Sequence, residues 1–151
     1  MILNVFENST TQKLIERINN LSNESKAKWG KMNVAQMLAH CNVTYEMLYE
    51  NKHKAPSFFI KLILKFFVKK HVVNDVYYKP NTATAPAFII ANEREFTIEK
   101  ERLINYIIKT QQLGANYFEG KESLSFGALT ANEWNNLFYK HLDHHFKQFG
   151  V

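Results

Sequence analysis

This sequence of 151 residues contains a single cysteine, Cys41, together with only five glycines and three prolines. One cysteine excludes an internal disulfide framework and is typical of proteins kept in a reducing cytoplasm. The shortage of glycine and proline disfavours a turn-rich β-sandwich and favours helices. We therefore expect an all-α, cytoplasmic protein that forms one domain over residues 1–151.

The chain also lacks an apolar run of the roughly 18–20 residues that a membrane-spanning helix needs. Its first residues, Met1–Asn8, have neither the basic start nor the long apolar centre of a secretory signal peptide. Glycine-rich phosphate loops and the G-x-S-x-G nucleophile motif are missing as well. We expect neither a secreted nor a membrane-spanning protein, and neither a nucleotide-binding enzyme nor a serine hydrolase.

Positive charge is concentrated in one part of the chain, whose formal net charge is +5. From Lys52 to Lys79 there are seven lysines and one acid, Asp75, which gives this segment +6 and leaves −1 for the rest. Attraction to an anionic partner would therefore have to reside here. The segment contains no arginine, the residue that most often reads bases, and we expect no nucleic-acid partner.

Apolar residues recurring every three or four positions predict five helices. These are Ser9–Leu21, Asn33–Glu50, Ser57–His71, Glu93–Leu113 and Thr130–Phe149. Capping boxes mark three of the starts: Ser9 with Gln12, Asn33 with Gln36, and Thr130 with Glu133. Four principal helices and one extra amphipathic helix indicate an all-α bundle.

Two connections in this bundle are long. Residues Val72–Asn92 contain two prolines and show little periodicity, which predicts an extended crossover with short extended pieces at Val76–Tyr78 or Phe88–Ile90. A connection of that length often covers a functional site. Residues Ala115–Leu129 are predicted to form a loop, with Gly114 ending the preceding helix.

The predicted helix Ser57–His71 is apolar apart from a narrow stripe formed by Lys61, Lys65 and Lys69. This composition is typical of a helix that lies in a membrane interface. It is equally typical of a helix buried on two sides, against the bundle and against a partner subunit. We expect burial within the protein or in a homodimer rather than membrane contact.

Histidines are the residues with the clearest chemical potential. His141 and His145 lie one turn apart on the apolar stripe of the last predicted helix. A buried imidazole needs a partner, because an unsatisfied polar group costs roughly 1–3 kcal/mol. Two buried imidazoles on the same helix face indicate either a polar network or a metal ion. His40, at the edge of the buried face of the second helix, is either the third ligand or a half-exposed surface histidine.

The stretches that carry these histidines resemble a known group of proteins. They are Trp29–Met32 with Gln36–Cys41, and Glu133–Trp134 with Tyr139–His145 and Gln148–Gly150. Thr84–Pro86 and Arg94–Phe96 are similar as well, whereas Ser123–Ser125 depart from the His-Pro that many members carry before Phe-Gly. The chain resembles an uncharacterised family of the DinB-like superfamily of metal-dependent four-helix bundles, and this resemblance covers nearly its whole length. It implies that His40, His141 and His145 bind a divalent metal.

Three imidazole ligands leave a divalent ion with at least one open position, which is typical of catalytic sites. Zinc is the first choice, and nickel, iron or manganese also suit such ligands. Because some DinB-like relatives are thiol S-transferases, the resemblance implies a small-molecule substrate such as a low-molecular-weight thiol. Hydrolysis by an activated water is the other enzymatic hypothesis.

Two non-enzymatic hypotheses remain open, and both use Ser57–His71: a dimeric binding module and a peripheral membrane protein. For a general base the sequence offers three residues near the ligands, none singled out by spacing: Tyr45, Glu46 and Asp143. We expect Cys41 to be a core residue. We expect His144 to lie at the edge of the stripe.

Overall fold

The chain forms an all-α bundle in the computed structural model, which describes residues 1–50 and 52–151. The helices are α1 (Asn8–Asn19), α2 (Val34–Tyr49), α3 (Phe58–Ile63), α4 (Lys69–Val73), α5 (Phe96–Phe118) and α6 (Ala131–Gln148). A π-helical turn (Leu64–Val68) joins α3 to α4, and a 3₁₀ turn (Pro86–Phe88) interrupts the crossover. Strands β1 (Lys121–Ser123) and β2 (Gly127–Leu129) form an antiparallel hairpin before α6. The predicted fold class is confirmed.

Stacked aromatic rings occupy the centre of the bundle. Tyr45 of α2 stacks on Phe138 of α6 with ring centroids 5.1 Å apart, and on Tyr106 of α5 at 5.4 Å. Phe118 packs edge-on against Phe138 at 5.6 Å. Because such pairs join three of the principal helices, they hold α2 and α6 in fixed register.

Two of the three predicted capping boxes are present. The side chains of Asn33 and Thr130 each accept from the backbone N–H three residues on. The side chains of Gln36 and Glu133 in turn accept from the backbone N–H groups of Asn33 and Thr130. The box predicted at Ser9 is wrong, because α1 begins one residue earlier and Ser9 lies within it. The preceding segment is fixed by tertiary contacts instead: Val5 is buried, and its N–H donates to the Asn135 side chain.

The predicted helix at 57–71 is present as one continuous run through α3, the π-turn and α4, which we call the 58–73 helix. Lys140 of α6 anchors its end, since the fully buried ammonium group donates to the His71 carbonyl and to both oxygens of Asn74 at 2.8–3.0 Å. The outer face is exposed rather than buried within this chain, so contact in a homodimer is the part of the expectation that stays a prediction. Phe59 and Phe66, for example, remain 77% and 70% exposed.

The crossover contains no β-strand within the described residues. Of the extended piece predicted at Phe88–Ile90, Phe88 belongs to the 3₁₀ turn, whereas Ile89 has extended backbone angles (φ −77°, ψ 116°). Gly114, with φ 70° and ψ 167°, interrupts α5 where the sequence predicted its end, but one more turn follows. The loop predicted at Ala115–Leu129 instead contains the hairpin, whose strands of three residues each are too short to show alternation.

No helix in the described residues combines the length and the apolar character needed to cross a bilayer.

Candidate metal centre

Three histidine rings from opposite ends of the chain meet between α2 and α6. His40 comes from α2, and His141 and His145 lie one turn apart on α6. One ring nitrogen of each lies within 4.8 Å of the other two. The Nε2 atoms of His40 and His141 are 2.9 Å apart. The structure therefore brings together the three residues that the sequence singled out.

These rings lie in a largely dry environment, which keeps them neutral at pH 7. His40 and His145 are buried, and His141 is partly exposed towards a cavity. Burial lowers the pKa of His145 to about 3, and the neighbouring His40 adds to the effect. Burial likewise lowers the pKa of His141 well below its usual value. For His40, burial outweighs the hydrogen bond to the Phe88 carbonyl, which by itself would raise the pKa, and the net effect is a lowered pKa. Each neutral ring keeps one nitrogen lone pair.

His40 and His141 are oriented by neutral partners at their Nδ1 atoms. Nδ1 of His40 donates to the Phe88 carbonyl oxygen at 2.8 Å, which leaves its Nε2 unprotonated. Nδ1 of His141 lies 3.0 Å from the Thr44 hydroxyl, which can either donate or accept. The Thr44 hydroxyl thus accommodates either tautomer of His141.

His145 is oriented through a chain of two hydrogen bonds. Its Nδ1 donates to the Gln148 side-chain oxygen at 2.8 Å, and the Gln148 amide nitrogen donates to the Trp29 carbonyl at 2.7 Å. The second bond fixes which end of the amide faces His145. A side chain at Gly30 would place its Cβ 2.6 Å from that amide nitrogen, and φ of +83° also favours glycine there. The Trp29-Gly30 dipeptide therefore supports the His145 ring.

A cavity of about 460 Å³ opens above the three rings. Its wall combines the crossover, the hairpin and the inner side of the 58–73 helix. Apolar side chains predominate: Met47, Leu48, Leu64, Val68, Val72, Leu124, Phe126, Trp134 and Leu137. Such a pocket, with a few convergent polar groups at one end, is typical of a small-molecule site.

Residues 6–150 match the model of a protein family described as "Protein of unknown function (DUF1569)". The chain belongs to this family. A search of curated proteins and of solved structures found no match.

None of the three candidate general bases of this DUF1569 protein lines the cavity. Glu46 lies on the other side of α2 and pairs with Arg102. Tyr45 is part of the aromatic stack. Asp143 faces Arg17 and Lys147 at 2.9 and 2.7 Å. These contacts give each residue a structural role instead.

The remaining candidates follow their sequence-based expectations. Cys41 is fully buried beside Met37, and burial raises the pKa of its thiol, so it is a core residue. His144 packs edge-on against the rings of Trp29 and Tyr78 and lies outside the three-histidine cluster.

Sequence reasoning missed the partners that orient the rings. Gln148 lies three residues after His145, so helical spacing alone could have identified it. Thr44 lies four residues after His40 and shares its face of α2, but it contacts His141 of α6, and that contact depends on how the two helices pack. The carbonyl of Phe88 carries no such signal, because any residue supplies the same atom. Its position depends on the 3₁₀ turn in the crossover.

Proposed function

We propose that this protein binds one divalent metal ion through His40, His141 and His145, with zinc as the first choice and nickel, iron or manganese as alternatives. The observation that carries the proposal is the convergence of three neutral imidazoles, with hydrogen-bond partners at their Nδ1 atoms. Metal-ligating histidines characteristically have such partners.

The spacing of the rings suits this role. Two nitrogens bonded to one tetrahedral zinc ion at 2.0–2.1 Å lie about 3.3 Å apart. The observed separation of 2.9 Å between His40 Nε2 and His141 Nε2 is held without metal by one proton between them. Metal binding requires His141 to carry that proton on Nδ1 instead. The hydroxyl of Thr44, 3.0 Å away, can then accept it.

We further propose that the protein is a DinB-like enzyme acting on a small molecule. A divalent ion with an open position lowers the pKa of a water or thiol ligand towards neutral pH. The apolar side chains around the three histidines would exclude bulk water and hold the body of the substrate. The open end of the cluster towards this cavity supports a catalytic rather than a purely structural site.

The residues lining the cavity favour thiol transfer over hydrolysis. Among the described residues, Glu122 is the only carboxylate in that lining, and it lies exposed on the hairpin. Hydrolysis therefore finds no buried carboxylate to act as general base beside the histidines. An ionised thiol is already a strong nucleophile and needs none. We infer a thiol S-transferase that uses a low-molecular-weight thiol, with hydrolase as the second candidate.

Metal analysis tests the first part of this proposal. Untagged protein purified without chelators should contain about one divalent metal ion per chain, measured by inductively coupled plasma mass spectrometry. His141→Ala and His145→Ala should each reduce that content to near zero, whereas His53→Ala, which lies outside the cluster, should retain it. Wild-type protein that neither contains nor takes up metal would refute the proposal.

Cobalt substitution tests the second part. Adding a low-molecular-weight thiol such as cysteine to the cobalt-loaded protein should produce a sulfur-to-cobalt charge-transfer band if the thiol reaches the open position. The same addition to His145→Ala should produce none. A cobalt spectrum unchanged by every thiol tried, with turnover of ester or amide substrates, would favour the hydrolase instead.

A further inference from the structure

The outer face of the 58–73 helix exposes far more apolar surface than any other element of the described chain. Of the twelve exposed large apolar side chains in the described residues, seven lie on this helix: Phe58, Phe59, Ile60, Leu62, Ile63, Phe66 and Phe67. Contiguous exposed apolar patches of this kind mark interaction sites, whereas isolated ones are common. This face therefore requires an occupant.

Its phenylalanines form two pairs. Phe58 and Phe59 are 70% and 77% exposed, and Phe66 and Phe67 are 70% and 72% exposed. The pairs are eight residues apart, so they project about 12 Å from each other along the helix. The π-helical turn that contains the second pair interrupts regular α-helix, a feature frequent at functional sites.

Unpaired positive charge is found on this helix and in the segments that flank it in the sequence. Two lysines of the helix are neutralised within the chain, Lys61 by Glu122 at 4.0 Å and Lys69 by Glu133 at 2.8 Å. Four exposed lysines of the basic segment form no salt bridge within residues 1–50 and 52–151: Lys54, Lys65, Lys70 and Lys79. The helix and its flanking segments thus carry a surplus of positive charge that an anionic partner would balance.

A second copy of this chain fits such a surface poorly. In a two-fold dimer the same patch meets itself, so Lys65 and Lys70 of both copies would approach one another. The sequence between residues 53 and 74 contains no acidic residue that could offset this repulsion. Lipid with an anionic headgroup supplies both an apolar layer and negative charge.

We propose that the 58–73 helix docks the protein on the surface of an anionic lipid bilayer, with its four phenylalanines inserted and its lysines at the headgroups. An interfacial helix combines these two contributions, apolar burial and attraction of lysine to anionic lipid. The helix lies on the bilayer and does not span it, in agreement with the absence of a spanning helix from the described residues.

Docking would also place the histidine cavity beside the bilayer. The inner side of the same helix supplies Leu64, Val68 and Val72 to the cavity wall. The proposed surface and the proposed metal site therefore share one element, although the docking itself does not depend on a metal.

Vesicle flotation with the full chain tests the docking. The protein should float with vesicles that contain phosphatidylglycerol and phosphatidylcholine, and not with phosphatidylcholine alone. Raising the salt concentration to about 0.5 M should release it, because screening weakens exposed charges. The Lys65→Gln/Lys70→Gln variant should bind about 30-fold more weakly.

The apolar contribution is tested by Phe59→Ser/Phe66→Ser, which should abolish flotation. Both side chains are largely exposed, so the fold should persist, as circular dichroism can verify. Ile98→Ser is the matched control, since Ile98 is 57% exposed on α5 away from this helix and should float as wild type does. His141→Ala should float as well, which separates the docking from the metal proposal.

Two results would overturn the docking. One is failure of the wild-type protein to float with anionic vesicles. The other is a dimer in sedimentation experiments that Phe59→Ser/Phe66→Ser dissociates while flotation is absent, which would assign the surface to a second copy.

Discussion

Helix α2 carries one polar cluster on each of two opposite sides, and the two clusters balance charge differently. His40 and Thr44 face α6, whereas Asn42 and Glu46 face α5. Positions two residues apart are separated by about 200° around a helix, so a single helix can hold both clusters.

In the cluster that faces α5, which we call the closed cluster, each charged group is paired with an opposite charge. Arg102 bridges Glu46 and Glu99, and the Asn42 amide donates to Glu99 at 2.8 Å. Burial alone would raise the pKa of Glu46, but hydrogen bonds from Arg102 and His53 outweigh it, and the net effect is a lowered pKa. Each charged group in this network therefore has an oppositely charged partner.

The cluster that faces α6, which we call the open cluster, contains no such ion pairs. Its hydrogen-bond partners are a carbonyl, a hydroxyl and an amide, all of them neutral. Three neutral imidazoles can share a proton but have no anion to pair with, and their lone pairs point together. A buried polar cluster is therefore a candidate ligand site when its internal contacts leave acceptors converging on one point.

The largest expected effect concerns the closed cluster. Arg102→Met should lower the free energy of unfolding by about 3 kcal/mol, because it leaves two carboxylates without their partner. Arg94→Met should lower it by less than about 1 kcal/mol, since that exposed side chain contacts Glu99 only at 3.8 Å. Urea denaturation of metal-free protein provides the measurement. Equal losses in the two variants would show that the Arg102 network contributes no more than a surface pair.

Metal should stabilise the protein through the open cluster alone. Zinc at a free concentration 100 times its dissociation constant should raise the free energy of unfolding by about 2.7 kcal/mol. Arg102→Met should keep this increment, and His145→Ala should lose it. The same denaturation experiment with and without zinc measures both. An increment that survives in His145→Ala would place the metal elsewhere.

Local patterns in the sequence predicted the helices, and they predicted which histidines would meet. His141 and His145 share a face because their spacing matches the helical period, and the capping box at Thr130 fixes where α6 begins. That His40 would reach them followed from its edge position together with the family resemblance. These features are either local or depend on a known arrangement of helices, and both kinds could be predicted from the sequence.

Features that depend on what covers a surface were not recoverable. The composition of residues 57–71 suits contact with protein and contact with lipid equally well. The exposure of the outer face therefore became visible only in the three-dimensional packing. The start of α1 was missed for a similar reason: Ser9 lies within the helix, and the segment before it is held by tertiary contacts of Val5 that no local pattern shows.

A smaller effect should follow from loosening one histidine of the open cluster. Gln148→Ala removes the acceptor that orients His145 and should weaken zinc binding about 10–100-fold. Gln148→Glu keeps an oxygen at that position and should weaken it less. Competition with a chromogenic zinc chelator measures the affinities, and Gln112→Ala, exposed on α5, is the control. Unchanged affinity in Gln148→Ala would mean that packing alone orients the ring.

The smallest expected effect is a pH dependence of stability that comes from the three-histidine cluster. Burial lowers the pKa of His145 to about 3 in the folded chain, whereas the unfolded chain takes up its proton near pH 6.5. Below that pH the unfolded state binds more protons, so the stability conferred by a neutral His145 is present above pH 6.5 and is lost as the pH falls. From about pH 7.5 to about pH 5.5 the loss should be about 1.4 kcal/mol for this residue. Denaturation of metal-free protein across that range should show a shallower dependence in His145→Ala, and identical slopes would mean that the folded protein admits the proton without cost.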